Sequence, residues 1–173
     1  MTGAPEPRGR AVVIGVGNEF RRDDGIGPEV LSRLRGRTAG SVRLVVSDGE
    51  PARMIEAWAG APLAVVIDAV LAHPPAPGRM HRIVVDGAGG VAIRPVSSHG
   101  LGLGDSIRLA SALGRMPERL IIHAVEAADV SHGVGFTPAV AAAVAPLTAA
   151  VICDLSEPGP PMPGQVSRGT APG

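Results

Sequence analysis

The chain has 173 residues, enough for one domain with a sizeable core and too few for two ordinary ones. Sixteen basic residues, all arginine, balance sixteen acidic ones, so no global field draws the protein to nucleic acid or to an acidic membrane. Aromatic residues make up only 2% (Phe20, Trp58 and Phe136), which leaves no stacking platform for single-stranded nucleic acid, and the lone Cys153 cannot form an internal disulfide.

In chain order, apolar strand-like runs alternate with helix-like segments, the pattern of a mostly parallel sheet covered on both faces. Ala11 to Gly17 reads as a buried strand. Ile26, Val30, Leu31 and Leu34 then fall at helical spacing, with Pro28 suited to a first turn and Gly36 to the end. Val42 to Ser47 is the next strand, and Pro51 to Trp58 a short helix with Met54, Ile55 and Trp58 on one face. Leu63 to Ile67 is the most apolar, β-branched run and is expected to be the central strand. His73 to Pro77 holds three prolines in five residues and must be irregular, and Arg79 to Val85 alternates like a half-exposed edge strand. Leu101, Ile107, Leu109 and Leu113 are expected to line one side of a helix capped by Ser97 or Ser98 and weakened in its first turns by Gly100, Gly102 and Gly104. Leu120 to Val125 is a further buried strand. The last helix is expected from Pro138 to Cys153, capped by Thr137. The prediction is therefore an α/β, three-layer αβα domain over residues 1–155. Residues 156–173, half of them Pro or Gly, form a tail expected to be disordered. No charged-then-apolar leader precedes the first strand and no apolar run approaches the roughly 20 residues of a membrane span, so a cytoplasmic location is expected. A monomer is the default because no coiled-coil repeat or apolar stripe is left over.

The most informative stretch runs from Gly15 to Gly27. It begins like a nucleotide loop, Gly15-Val16-Gly17, and then places Asp23 and Asp24 where phosphates would sit. A glycine phosphate loop would also need glycine where Phe20 stands, so a nucleotide-binding module is the weaker alternative. In open α/β sheets ligands bind beyond the carboxyl ends of the strands, where Asp24, Asp48 and Asp68 are predicted to lie. Asp68 stands between Val65-Val66-Ile67 and Ala69-Val70-Leu71, so its charge must face a cation, an arginine or a set of donors. His99, between serines and glycines before a helix, is kept neutral by the helix dipole, and neutral imidazole is the metal-binding form. Two carboxylates and one imidazole suit divalent ions such as nickel, zinc or manganese. Asp23 is read as binding loop amides or capping the next helix, Asn18 as satisfying loop backbone, His123 as a hydrogen-bonded core residue, His73 and His81 as exposed, and Cys153 as a small buried residue. Glu126 is left open.

Four ordered motifs carry a family resemblance: Gly15-Val16-Gly17-Asn18 with Arg22-Asp23-Asp24-Gly25-Ile26-Gly27, then Val66-Ile67-Asp68-Ala69, Ser98-His99-Gly100-Leu101-Gly102-Leu103, and Gly133-Val134-Gly135-Phe136-Thr137-Pro138 after Glu126. Together they resemble the hydrogenase maturation proteases, endopeptidases that remove a C-terminal extension from the large subunit of nickel-iron hydrogenases after nickel insertion. The resemblance implies a twisted sheet of about five strands between helices, with Asp24, Asp68 and His99 as catalytic and metal-binding residues. It implies nickel supplied by the large-subunit precursor, with zinc or cadmium able to occupy the site in vitro. It leaves open whether a metal at these residues polarises the scissile carbonyl and activates a water, whether a carboxylate acts as base, or whether a non-catalytic factor has kept the fold. Asp48 falls at a position linked to substrate selection, but Asp48-Gly49-Glu50-Pro51-Ala52 lacks the usual second glycine and threonine, and an Asp-Gly turn explains it as well. Asp48 and Asn18 are the substrate-binding candidates.

Overall fold

The computed structural model describes residues 11–86 and 101–156. Five strands, β1 (Ala11–Val16), β2 (Val42–Ser47), β3 (Leu63–Val70), β4 (Met80–Asp86) and β5 (Arg119–Glu126), form one sheet in the order β2-β1-β3-β5-β4. All neighbours are parallel except the β4–β5 pair. β3 is central, and β2 and β4 are the edges. The β-branched runs are buried on both faces because helices cover both. α1 (Ile26–Leu34) and α4 (Pro138–Ser156) pack together on one side, and α2 (Pro51–Trp58) and α3 (Leu101–Ala112) on the other.

The two-residue alternation of each strand divides the core. Val13, Val65, Ile67 and Ile121 join Ile26, Val30, Leu31 and Leu34 of α1 and Val140, Val144, Leu147 and Val151 of α4. Val12, Ile14, Val66, Leu120 and Ile122 join Met54, Ile55 and Trp58 of α2. Full burial of such side chains contributes about 1.5–3 kcal/mol each, which is what holds short helices of modest propensity on the sheet. Glu50 starts α2, its carboxylate accepting hydrogen bonds from the amides of Ala52 and Arg53, with Pro51 as first helical residue.

Several local expectations need correction. The buried side of α3 is Leu103, Ser106, Ile107 and Ala110, spaced at three and four residues, whereas Leu109 and Leu113 are exposed. Helix forms through Gly104 all the same, because that buried face supplies what propensity lacks. The Thr137 hydroxyl is turned to Asp23 rather than to the α4 amides, and it is the Thr137 carbonyl that accepts from Ala141. Cys153 is exposed. α4, with 19 residues and a mean hydropathy of 1.8, is long and apolar enough to cross a membrane, contrary to the expectation that no segment would be; here Val140, Val144, Leu147 and Val151 dock it on the sheet. The Ser97 or Ser98 cap, Gly100, and the tail beyond Ser156 lie outside the described residues.

Candidate active site at the carboxyl end of the sheet

The loop after β1 is shaped by glycines that make room for backbone. Gly17 has φ +128°, and a Cβ there would stand 1.9 Å from the Asp24 carbonyl oxygen. Gly15 and Gly27 let β1 and the first turn of α1 touch, since a Cβ on Gly15 would lie 2.6 Å from the Gly27 carbonyl carbon. The chain thereby folds back at once, and a 3-10 turn, Arg22–Gly25, brings Asp24 against the end of β1. The Asn18 amide donates to the Asp24 carboxylate at 3.0 Å, and the Asn18 side-chain oxygen accepts from Phe20 N at 2.9 Å. A loop amide that a phosphate would need is thus already bound to Asp24. That weighs against the nucleotide alternative.

Asp23 points the other way, fully buried. Its carboxylate accepts from the amides of Ala128 and Asp129 at 2.9 and 3.0 Å, and from the Thr137 amide and hydroxyl. This binds the 3-10 turn to the loop between β5 and α4. Arg22 N donating to the Gly133 carbonyl, Gly133 N donating to the Phe20 carbonyl and Arg21 Nε donating to the Val130 carbonyl close the same seam. Arg22 is held at φ +45°, a left-handed conformation that costs a non-glycine residue about 1 kcal/mol and persists only under such constraint. Reading Asp23 as a binder of loop amides was correct, but the partners lie more than a hundred residues away.

Asp68 lies within β3, level with Ala124 of β5 and one residue beyond the Gly15–Ile67 pair, where β1 turns away. Its side chain shares the parity of Ala64 and Val66, the face covered by α2 and α3. Only 9% of it is exposed, and no ion pair reaches it among the described residues. Burial, followed by the negative charge of Asp24, pushes its carboxyl up to about 7 against a single opposing hydrogen bond from the Ala69 amide. Two carboxylates from separate elements thus lie close enough to repel each other, a repulsion that a cation would relieve.

His99 is outside the described residues, and no cluster of three ligand-type side chains occurs among the described ones. Residue 99 precedes α3 by two positions. The Glu118 amide, just past α3, donates to the Ala61 carbonyl just before β3, so α3 ends at the amino end of the sheet and begins at the carboxyl end, on the Asp68 face. Asp48 is exposed at the end of β2, accepts from Glu50 N at 3.1 Å and lies 3.7 Å from Arg53, with Gly49 at φ +86°. This is the Asp-Gly turn reading, and it places Asp48 on a groove beside the loop rather than against Asp68.

Other polar groups resolve as structure. Glu126 accepts from Ala76 N and contacts His81 Nε2 at 2.7 Å, so His81 is half-buried and paired, not simply exposed; that partner holds the Glu126 carboxyl below its ordinary range. His123 is a core histidine, 2.6 Å from buried Asp154, which also binds Arg82. What the sequence concealed is the apolar rim of the site: Phe20 is 61% exposed and Val134, next to Gly133 across the seam, 78%.

A five-stranded α/β sheet of this order matches a known class. Residues 29–154 match the sequence profile described as hydrogenase maturation protease, and the chain belongs to that family of peptidases, which are hydrolases. It is 28% identical over 152 residues to the hydrogenase 2 maturation protease of Escherichia coli strain K12, covering 87% of this chain and 93% of that one. The fold is that of the hydrogenase-maturating endopeptidase from Escherichia coli (TM-score 0.71, 24% identity, 84% of this chain and 91% of the other). It is shared by the nickel-iron hydrogenase maturation protease of Thermococcus kodakarensis (TM-score 0.68, 21% identity, 84% and 99%).

Proposed function

We propose that this protein is an endopeptidase that removes the C-terminal extension of a nickel-iron hydrogenase large-subunit precursor after nickel insertion, and that Asp24, Asp68 and His99 read the nickel carried by that precursor. The observation that carries this reading is the pairing of Asp24 with buried Asp68, whose carboxyl titrates near 7. Two carboxylates that repel each other bind a cation better than either would alone, and a borderline ion accepts carboxylate and imidazole together. With no cation present, Asp68 holds a proton over much of the neutral range. Arrival of a nickel-loaded precursor draws that proton off, so the loaded substrate favours the ionised pair.

Hydrolysis adds hydroxide from water to the scissile carbonyl carbon and a proton to the departing amine. The Asp68 carboxylate that the loaded precursor ionises can accept the first proton from the attacking water and return it to the amine. Asp24, whose carboxylate accepts from the Asn18 amide, lies beside it as the second acidic side chain. Asp23, through the Ala128, Asp129 and Thr137 donors, holds the turn that presents Asp24. The test is to mix the protein with the large-subunit precursor, with and without nickel, and weigh the product. A shortened large subunit is expected only with nickel. Intact precursor under both conditions, or equal cleavage under both, overturns the reading.

A further inference from the structure

Among the described residues β2 is an edge strand with no strand on its outer side. The Gly17 amide donates to the Ser47 carbonyl at 3.0 Å, so alternate residues Arg43, Val45 and Ser47 turn their backbone groups toward β1. Leu44 and Val46 therefore present N–H and C=O groups to the outer side, while the Val42 N–H is taken by the Ala39 carbonyl. Val46 is 54% exposed on the α1 face of the sheet, the face on which Leu44 is packed. Beside it runs a groove of about 590 Å³, floored by Val46 and walled by Phe20 and by Pro28, Ser32 and Arg35 along one flank of α1. The groove reaches the loop residues Gly17 and Asn18, the same Asn18 whose amide holds Asp24.

We propose that the C-terminal extension of the precursor docks here as an added strand, pairing with the outer edge of β2 and laying alternate side chains in the α1 groove. This rests on the function proposed above and adds where the substrate chain lies. The nickel-bearing part of the substrate stays upstream of the cut, so the extension leaves Asp68 and travels outward. Val16 and Ser47 lie level on β1 and β2, and Asp68 lies one residue beyond the last β1–β3 pair, Gly15–Ile67. A strand outside β2 is three interstrand spacings from β3, about 14 Å, which about four extended residues span. The extension then runs down β2 from its carboxyl end, antiparallel to it, and its far part meets Arg35, near the amino end of β2. That cation favours an acidic group there. Main-chain pairing supplies affinity with little demand on sequence, and the groove favours medium apolar side chains at every second position.

Two variants test this. Val46→Pro removes an outward donor at an edge, where proline is tolerated, and Ser32→Trp fills the groove from an exposed helix position. Each is expected to raise KM for the nickel-loaded precursor about tenfold, with kcat falling far less, while Ala142→Trp on the exposed side of α4 leaves both constants alone. Binding of the precursor should also slow amide hydrogen exchange at Leu44 and Val46 in the wild-type chain. If the wild-type chain cleaves the precursor but Ser32→Trp keeps its KM and exchange at Leu44 and Val46 does not slow, strand docking is wrong and the peptidase reading stands. If the wild-type chain does not cleave, the peptidase reading falls instead.

Discussion

Asp68→Asn should make the protein more stable while disabling it, and the gain should depend on pH. In the folded chain the Asp68 carboxyl is pushed from 3.8 up to about 7, first by burial and then by the charge of Asp24. Between those values the unfolded chain has released its proton and the folded chain has not, so the unfolded state binds fewer protons and stability falls as pH rises. A difference of about 3 units at 1.36 kcal/mol per unit sets a ceiling of about 4 kcal/mol, reached above pH 7. Asparagine keeps the shape without the charge, but its amide is still buried, at a cost of about 1–2 kcal/mol. The net gain expected at pH 8 is about 2 kcal/mol, or about 4–8 °C in Tm for a domain of this size. At pH 4 the folded carboxyl is neutral, the ionisation penalty is almost gone and the cost of the buried amide is left, so the variant should be about 1 kcal/mol less stable than wild type. Urea denaturation of both proteins at half-unit steps from pH 4 to 8 gives the curve directly. An Asp68→Asn protein no more stable than wild type at pH 8, or a difference flat with pH, would refute the argument that this carboxyl is desolvated beside a like charge.

Three further outcomes follow from contacts already described. Asp23→Asn places amide hydrogens against the donors of Ala128, Asp129 and Thr137, and should cost about 2–3 kcal/mol in denaturant melts, with a fall in processing as the Asp24 turn loosens. Gly17→Ala would drive a Cβ to 1.9 Å from the Asp24 carbonyl oxygen at a φ alanine avoids, so it should lose more than about 2 kcal/mol; melting within a degree of wild type would show the approach to be looser. Asp154→Ala leaves buried His123 without its 2.6 Å partner and removes one carboxylate contact of Arg82, and should cost about 3 kcal/mol by calorimetry without changing KM, because the cluster lies between β4, β5 and α4, away from the site.

The sheet was legible because burial on both faces leaves long β-branched runs, as in Val12 to Ile14 and Ala64 to Ile67, and the observed strands match those expected within a few residues. Asp68 was legible for the related reason that a charge inside such a run needs an explanation. α3 was misjudged because its buried face uses Ser106 and Ala110, which no count of large apolar residues selects, while its exposed face carries Leu109 and Leu113. His81 and the four-bond role of Asp23 were hidden because their partners, Glu126 and the 128–137 loop, are 45 and more than a hundred residues distant. The groove beside β2 was invisible for the same reason: it arises only where the flank of α1, the Phe20 loop and a sheet edge meet.

The most direct test of the account compares wild type, Asp68→Asn and His99→Ala on one nickel-loaded large-subunit precursor, with the product followed by mass. Wild type should release the C-terminal extension, and both variants, folded and stable, should leave the precursor intact. Complete release by both variants would contradict the claim that these side chains read the metal and carry the cleavage.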